Sequence, residues 1–116
     1  MTDEEIKIQI ALGSFPEKEF TLTIIQNCKD LETFKLLIKL WAHISYSYRL
    51  GYKHDEITNT FLNHPLIYQE LKDYLIVGRL YQKFLWEGPQ FPLIDPVNIK
   101  KMHDKILELE EKIFGN

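Results

Sequence analysis

Two short segments near the N-terminus alternate apolar and polar residues with a period of two. Residues 6–12 (IKIQIAL) carry isoleucine or leucine at every second position, and residues 20–25 (FTLTII) repeat the pattern. Such alternation with β-branched residues is typical of half-buried strands. The connecting segment, GSFPEKE, contains glycine and proline and indicates a loop. The pattern therefore predicts a β-hairpin over residues 6–25.

The apolar period changes to three and four from Asp30 onward, which predicts a central helix over residues 30–50. Asp30 is expected to cap its N-terminus, and Gly51 is expected to end it. The apolar face of this helix comprises Leu31, Phe34, Leu37, Ile38, Trp41, Ile44, Ser45 and Tyr48. Leu36 and Leu40 widen the apolar face sideways, which indicates a helix packed in the middle of the fold.

Three further helices follow from the same apolar period and from the positions of aspartate and proline. They are predicted over residues 55–63, 65–86 and 95–114. Gly78 lies on the inward face of the second of these helices. Because a glycine in the middle of a helix costs about 1 kcal/mol relative to alanine, its position predicts a close crossing with another helix.

These elements together predict an α+β fold that forms a single domain over residues 1–116. In this fold the N-terminal β-hairpin precedes a compact bundle of three to four α-helices. Two strands alone are only marginally stable in water. The hairpin is therefore expected to lie on the helices or to pair with a strand from another chain.

The last predicted helix carries a narrow apolar seam. Its residues are spaced by three and four, as in a coiled coil of about two heptads: Ile99, Met102, Ile106, Leu109 and Ile113. Three lysines early in this helix precede three glutamates late in it, an order that opposes the helix dipole. An antiparallel second copy would match the basic half to the acidic half, which raises the hypothesis of an antiparallel homodimer. Packing of the seam inside one chain is the alternative.

The composition is that of an ordinary globular protein, with 45% apolar and 27% charged residues. The single cysteine, Cys28, allows no internal disulfide, which favours a reducing compartment. The acidic N-terminus (MTDEEIKIQI) lacks the features of a signal peptide, and no apolar run approaches the roughly 18–20 residues that a membrane helix needs. The chain is therefore expected to be soluble and cytoplasmic, with no membrane partner.

Arg49 and His54 have the spacing of the arginine–histidine pair in one class of metal-independent RNases. In such a pair the histidine moves the proton of the ribose 2′-hydroxyl, and the arginine stabilises the charged phosphate. Gly51 falls between the two residues and is expected to end the helix, so their side chains need not share a face. The other interpretation is a helix C-terminus with a favourable cation. A metal-independent RNase is therefore an alternative function.

A nucleic-acid interface is a further alternative. Lys29, Lys35 and Lys39 form a modest basic patch on the predicted central helix, where Asp30 and Glu32 flank them. The formal net charge is −3, whereas nucleic-acid binders usually carry a clustered basic patch. An RNA-binding small subunit would use these lysines, but nucleic acid is not the expected partner.

No metal or cofactor is expected. His54, Asp55, Glu56 and His64 lie close together in the sequence, but their spacing is not a known zinc-binding pattern. The chain also lacks a glycine-rich phosphate loop, a dinucleotide-binding fingerprint and a Gly-x-Ser-x-Gly elbow. Cys28 is interpreted as a small buried residue rather than a nucleophile.

Apolar residues in turn-rich segments are the candidates for contacts with another protein. A proline-stiffened loop carries Trp86, Phe91, Leu93 and Ile94, and the tip of the predicted hairpin carries Phe15. Aromatic anchors on a rigid backbone are typical of binding hot spots, although covering the core is the alternative role of this loop. We expect a non-catalytic intracellular protein-binding module, such as a small inhibitor, an immunity or antitoxin protein, or a small subunit of a larger enzyme or nucleoprotein complex.

Overall fold

The computed structural model describes residues 18–44, 54–87 and 96–115, and in these ranges the protein is a helical bundle. The helices are α1 (Lys18–Asn27), α2 (Leu31–Ala42), α3 (His54–Leu62), α4 (Gln69–Glu87) and α5 (Pro96–Phe114). The described part of the chain contains no β-strand. The predicted α+β class is therefore wrong. None of the helices in these ranges has the length and apolar character required to cross a lipid bilayer.

The second predicted strand, residues 20–25, lies in α1 and not in a hairpin. Ile24 and Ile25 are both fully buried, and Cys28 is buried one turn further along the chain. A half-buried strand would point the two neighbouring isoleucines to opposite faces, whereas a helix turns both towards one core. Tertiary burial has overridden the β-propensity of this segment. The first predicted strand, residues 6–12, lies outside the described residues.

The N-terminus of α2 is capped by Asp30, as predicted from the sequence. Its carboxylate accepts hydrogen bonds from the backbone N–H of Thr33 at 3.0 Å and from the hydroxyl of the same residue at 2.7 Å. The helix ends at Ala42, so the predicted continuation through residue 44 is wrong, and residues 45–50 lie outside the described part. The guanidinium of Arg79 holds this end because it donates to the carbonyls of Trp41 and Ile44.

The next two helices differ from their predicted bounds by unequal amounts. Helix α3 agrees with the prediction to within one residue at each end, but α4 begins at Gln69 and not at Pro65. His64 accounts for the later start of α4, because it accepts hydrogen bonds from the turn that follows it. Its Nδ1 accepts from the backbone N–H of Leu66 at 3.0 Å, and its carbonyl accepts from that of Ile67 at 3.1 Å. Helix α5 starts one residue after the predicted position.

Helix α4 packs against both α2 and α5, and α1 packs against α3. The largest fully buried side chains come from all of the first four helices and include Trp41, Tyr74, Phe34, Phe61 and Ile24. Side-chain contacts also join α2 and the residue after it to α5, pairing Lys35 with Ile113 and His43 with Glu110. One apolar core therefore connects the helices.

The predicted close crossing at Gly78 is confirmed. A Cβ atom at this position would lie 2.9 Å from the Cβ of Ala42 and 3.2 Å from its carbonyl oxygen. Neither of these atoms belongs to a flexible side chain that can turn aside. Glycine at this position of α4 therefore allows the backbones of α2 and α4 to approach each other.

Gly78→Ala is expected to lower the free energy of unfolding by about 1–2 kcal/mol. The new methyl group costs about 1–3 kcal/mol through overpacking, which outweighs the gain of about 1 kcal/mol in helix propensity. Urea unfolding followed by circular dichroism measures the change. Ala42→Gly in the same background should return part of the loss, giving a non-additive double-mutant cycle. A Gly78→Ala protein more stable than the wild type would contradict the crossing geometry.

Candidate functional site

Three polar side chains from three helices meet where α2 and α5 approach each other. The Nε2 atom of His43 lies 2.6 Å from Oε1 of Glu110, and the hydroxyl of Tyr74 lies 2.9 Å from the same oxygen. The Tyr74 hydroxyl is also 3.2 Å from His43 Nε2. Because a carboxylate only accepts hydrogen bonds, the imidazole N–H and the phenol O–H both point at Glu110. This cluster ties α2, α4 and α5 together.

The phenol of Tyr74 is a structural donor in this cluster and not a base. Its ring is fully buried, and burial raises its pKa far above the ordinary value. The negative charge of Glu110 and the hydrogen bond to it raise this pKa further. The hydroxyl therefore keeps its proton at any physiological pH and continues to donate to Glu110.

His43 and Glu110 are the parts of this cluster that solvent reaches, with side chains 47% and 21% exposed. A carboxylate beside an imidazole is also the arrangement that orients a general base. The other residues lining the adjoining depression are Leu36, Leu40 and Lys39, which include no nucleophilic hydroxyl or thiol. The hydrogen bonds of this cluster tether the end of α2 and helix α4 to α5.

The lysines predicted to bind nucleic acid are largely committed to contacts within the chain. Lys35 donates to the carbonyl of Ile113 at 3.1 Å, near the C-terminus of α5, and lies 3.5 Å from Glu32. Lys39 lies over the ring of Phe114, with its Nζ atom 4.9 Å from the ring centroid. Lys29 is exposed. Lys35 and Lys39 therefore contact other groups of the chain, and the three lysines do not form one free basic surface.

A shallow apolar depression of about 280 Å³ lies on the outer face of α2, and we call it the α2 depression. It is lined by Leu36, Leu40, Lys39 and His43. Leu36 is 43% exposed and Leu40 is half-buried, so apolar surface faces solvent here. Leu107 of α5 is also exposed, at 51%, and lies one helical turn before Glu110.

A second cavity, of about 450 Å³, lies between the end of α1 and α3 and has a different character. We call it the polar cleft, and it is lined by Gln26, Glu56, Asn59, Thr60, Asn63 and Pro65, together with His64. The carboxamides of Gln26, Asn59 and Asn63 are exposed and make no hydrogen bond with any other described residue. The cleft therefore presents three carboxamides whose acceptor and two donors form no hydrogen bond within the described part of the chain.

His64, considered above as a metal ligand, has a structural role. Only 8% of the residue is exposed, and its ring stacks on Phe34 with the centroids 4.4 Å apart. Its Nδ1 accepts from Leu66, while the ring also bonds the backbone of Ile25 and Cys28. These contacts fit a neutral imidazole that donates through Nε2. No group of three metal-binding side chains occurs within the three described ranges.

We expect the His64 ring to make the protein less stable in mild acid. Burial lowers its pKa below the ordinary value of 6.5, although the bonds to Cys28 and Ile25 partly oppose this shift. As the pH falls below 6.5, the unfolded chain takes up a proton that the folded chain resists, so stability falls until the folded pKa is reached. In His64→Gln, urea unfolding at pH 7 and pH 5 should show a smaller loss than in the wild type. Equal losses in both proteins would contradict this role.

The coiled-coil-like seam proposed for self-association is mostly inside the chain. Ile106, Leu109 and Ile113 are buried, while Ile99 and Met102 are half-buried. Helix α5 packs against α4, and the three buried residues belong to the common core. This burial supports the alternative of internal packing, and antiparallel self-association stays an untested prediction.

Several predicted site residues lie outside the described residues. Phe15, Arg49, Phe91, Leu93 and Ile94 are in this group. His54 begins α3 and Trp86 belongs to the last turn of α4, but their side chains are not among those described. The RNase alternative therefore stays a prediction. RNA cleavage lost in both Arg49→Ala and His54→Ala, with the fold intact, would establish it.

Sequence inspection missed the groups that the tertiary structure brings together. The period of the α4 helix gives Tyr74 only as an inward-facing position, and Glu110 is one of three glutamates late in the last helix. The spacing of Asn59 and Asn63, four residues apart on a polar helix face, was a signal available in the sequence. A comparison of the chain with protein-family models, curated proteins and solved structures found no match.

Proposed function

We propose that this chain is a non-catalytic protein-binding module that contacts its partner through the α2 depression. The observation that carries the proposal is the position of the exposed Leu36 beside the half-buried Leu40 on the outer face of α2. Full burial of a leucine side chain contributes about 1.5–3 kcal/mol. Because Leu36 is 43% exposed and Leu40 is half-buried, a partner that covered both side chains would gain a fraction of this contribution from each.

The size of the α2 depression favours a protein partner over a small molecule. Small-molecule pockets are usually concave cavities of roughly 300–1,000 Å³, and the depression has about 280 Å³ and lies on the surface of one helix. One or two apolar side chains of a partner would fill it. A specific interface covers roughly 800 Å² per partner, so the partner would also contact surface beyond the depression.

The charges at the rim favour an acidic amphipathic helix as the partner segment. Lys39 contacts the ring of Phe114 and forms no ion pair with a described carboxylate. His43 lies on the same rim and is half-exposed. A helix lying in a groove presents apolar anchors every three or four residues and charged side chains beside them. Its acidic residues would face Lys39 while its apolar residues covered Leu36 and Leu40.

The test compares Leu36→Glu with Ile76→Glu, a matched change at an equally exposed residue of α4 that does not line the depression. Proteins captured from the native host by the wild type are identified, and the purified candidate is titrated against all three proteins by calorimetry. We expect Leu36→Glu to weaken binding at least tenfold, about 1.4 kcal/mol, and Ile76→Glu to have little effect. Equal binding by the two variants, or the absence of any direct partner, would refute the proposal.

A further inference from the structure

Asn59 and Asn63 have a spacing that matches an extended polypeptide. They lie four residues apart, and the backbone N–H of Asn63 donates to the carbonyl of Asn59 at 3.0 Å, so the helical geometry of α3 continues to residue 63. Four residues of α-helix rise about 6 Å. Two residues of an extended chain span about 6.4–6.8 Å. Peptide groups on one edge of such a chain therefore recur at nearly the spacing with which residues 59 and 63 follow each other along the helix axis.

The chemistry of the cleft also suits a peptide backbone. Each carboxamide presents an acceptor oxygen and two donor hydrogens, and each peptide unit presents one donor and one acceptor. Asn59 and Asn63 on one wall, and Gln26 from the end of α1 on the other, would each pair with a peptide group. These three side chains make no competing hydrogen bonds with described residues.

From this arrangement we infer that the polar cleft binds an extended segment of another polypeptide, with Asn59 and Asn63 pairing with alternate residues of its backbone. The site shares no residue with the α2 depression, so it does not depend on the proposed function. Phosphate is a poor ligand for this cleft, because the described lining includes no lysine or arginine and His64 is buried and already bonded. Among the described lining residues there is also no phenyl, phenol or indole face on which a sugar ring would stack.

The first experiment selects linear random peptides, displayed on phage, against the immobilised full chain. The strongest binder is synthesised with both ends blocked and titrated by calorimetry. We expect Asn59→Ala and Asn63→Ala each to weaken its binding about tenfold through the loss of one or two hydrogen bonds. Both side chains are exposed, so these variants should stay folded. Asn27→Ala removes an exposed carboxamide of α1 that does not line the cleft and should leave binding unchanged.

The second experiment tests whether the backbone of the peptide is what the cleft recognises. Each peptide N–H of the selected binder is replaced in turn by N-methyl. We expect affinity to fall strongly at every second position, because one edge of an extended chain faces the asparagines. Loss without this period of two would show that the peptide does not bind as an extended strand, and it would overturn the inference.

The remaining outcomes separate this site from the α2 depression. Binding that is lost in Leu36→Glu but retained in both asparagine variants would support the proposed function and overturn the inference about the cleft. Selection of no peptide, combined with amide chemical-shift changes at Asn59 and Asn63 when cellobiose is added, would identify a carbohydrate site instead. The absence of both responses would leave the carboxamides as solvated surface and would also overturn the inference.

Discussion

Replacing Trp41 by alanine is expected to lower the free energy of unfolding by about 3–5 kcal/mol. The indole is fully buried, and its N–H donates to the hydroxyl of Thr58 at 3.0 Å, which connects α2 to α3. Its ring also lies 4.8 Å from the guanidinium carbon of Arg79 on α4. The substitution removes these contacts together and leaves a large cavity. Because small domains are stable by about 5–15 kcal/mol, much of the total stability would be lost.

Urea unfolding followed by far-ultraviolet circular dichroism measures this loss. Trp41→Phe retains most of the ring volume and should cost less than the alanine change. Thr58→Val removes the hydroxyl that accepts this hydrogen bond and should cost about 0.5–1.5 kcal/mol, the net contribution of one hydrogen bond. A Trp41→Ala protein that loses less than about 1 kcal/mol would show that α2 does not pack on α3 and α4 as described.

The second large effect is expected at Arg79, where alanine should lower the free energy of unfolding by about 2–4 kcal/mol. Its Nη1 atom donates to the carbonyls of Trp41 at 2.7 Å and Ile44 at 2.6 Å, and the residue is only 4% exposed. Hydrogen bonds from a charged donor contribute about 1.5–3 kcal/mol each. The alanine substitution also removes the cost of burying the guanidinium charge, which offsets part of that loss. The positive charge of Arg79 also interacts favourably with the negative, C-terminal end of the α2 dipole.

Two comparisons separate the causes of this effect. Arg79→Lys keeps the charge, but a single ammonium group lacks the planar shape that both stacks on Trp41 and reaches two carbonyls, so an intermediate loss is expected. Arg79→Ala combined with Trp41→Ala should cost less than the sum of the single changes, because the two residues share a contact. Additive losses would contradict the coupling between them.

The proposals for function concern two surfaces of unlike chemistry. The α2 depression presents apolar side chains beside a lysine, whereas the polar cleft presents carboxamides. Binding at the α2 depression would be stabilised by the removal of apolar area from water. Binding at the polar cleft would be stabilised by hydrogen bonds, which fix the direction and register of the ligand and contribute little affinity. Substitutions at Leu36 and at Asn63 therefore test the two surfaces independently.

Local features of the sequence were sufficient to predict several parts of the fold. Asp30 caps α2 because its carboxylate reaches a backbone N–H only three residues away. The periodic run from residue 96 to residue 114 forms a helix over nearly its whole predicted length. Gly78 predicted the helix crossing because glycine destabilises the middle of a helix, and a close backbone contact is a structural reason for it to stand there. Each of these signals depends on residues within one or two turns of each other.

Contacts between distant parts of the chain decided the rest. Residues 20–25 fit a strand by alternation, but burial of adjacent isoleucines in a common core makes them part of α1. The end of α2 is fixed by an arginine 38 residues away from Trp41, and the cluster at its side joins His43 to an acid 67 residues away. The periodicity of apolar side chains predicts which face of a segment is buried. It does not predict which distant group of the chain packs against that face. The sequence alone therefore determined four of the helices and one crossing point, while the class of the fold and the composition of both candidate surfaces depended on tertiary packing.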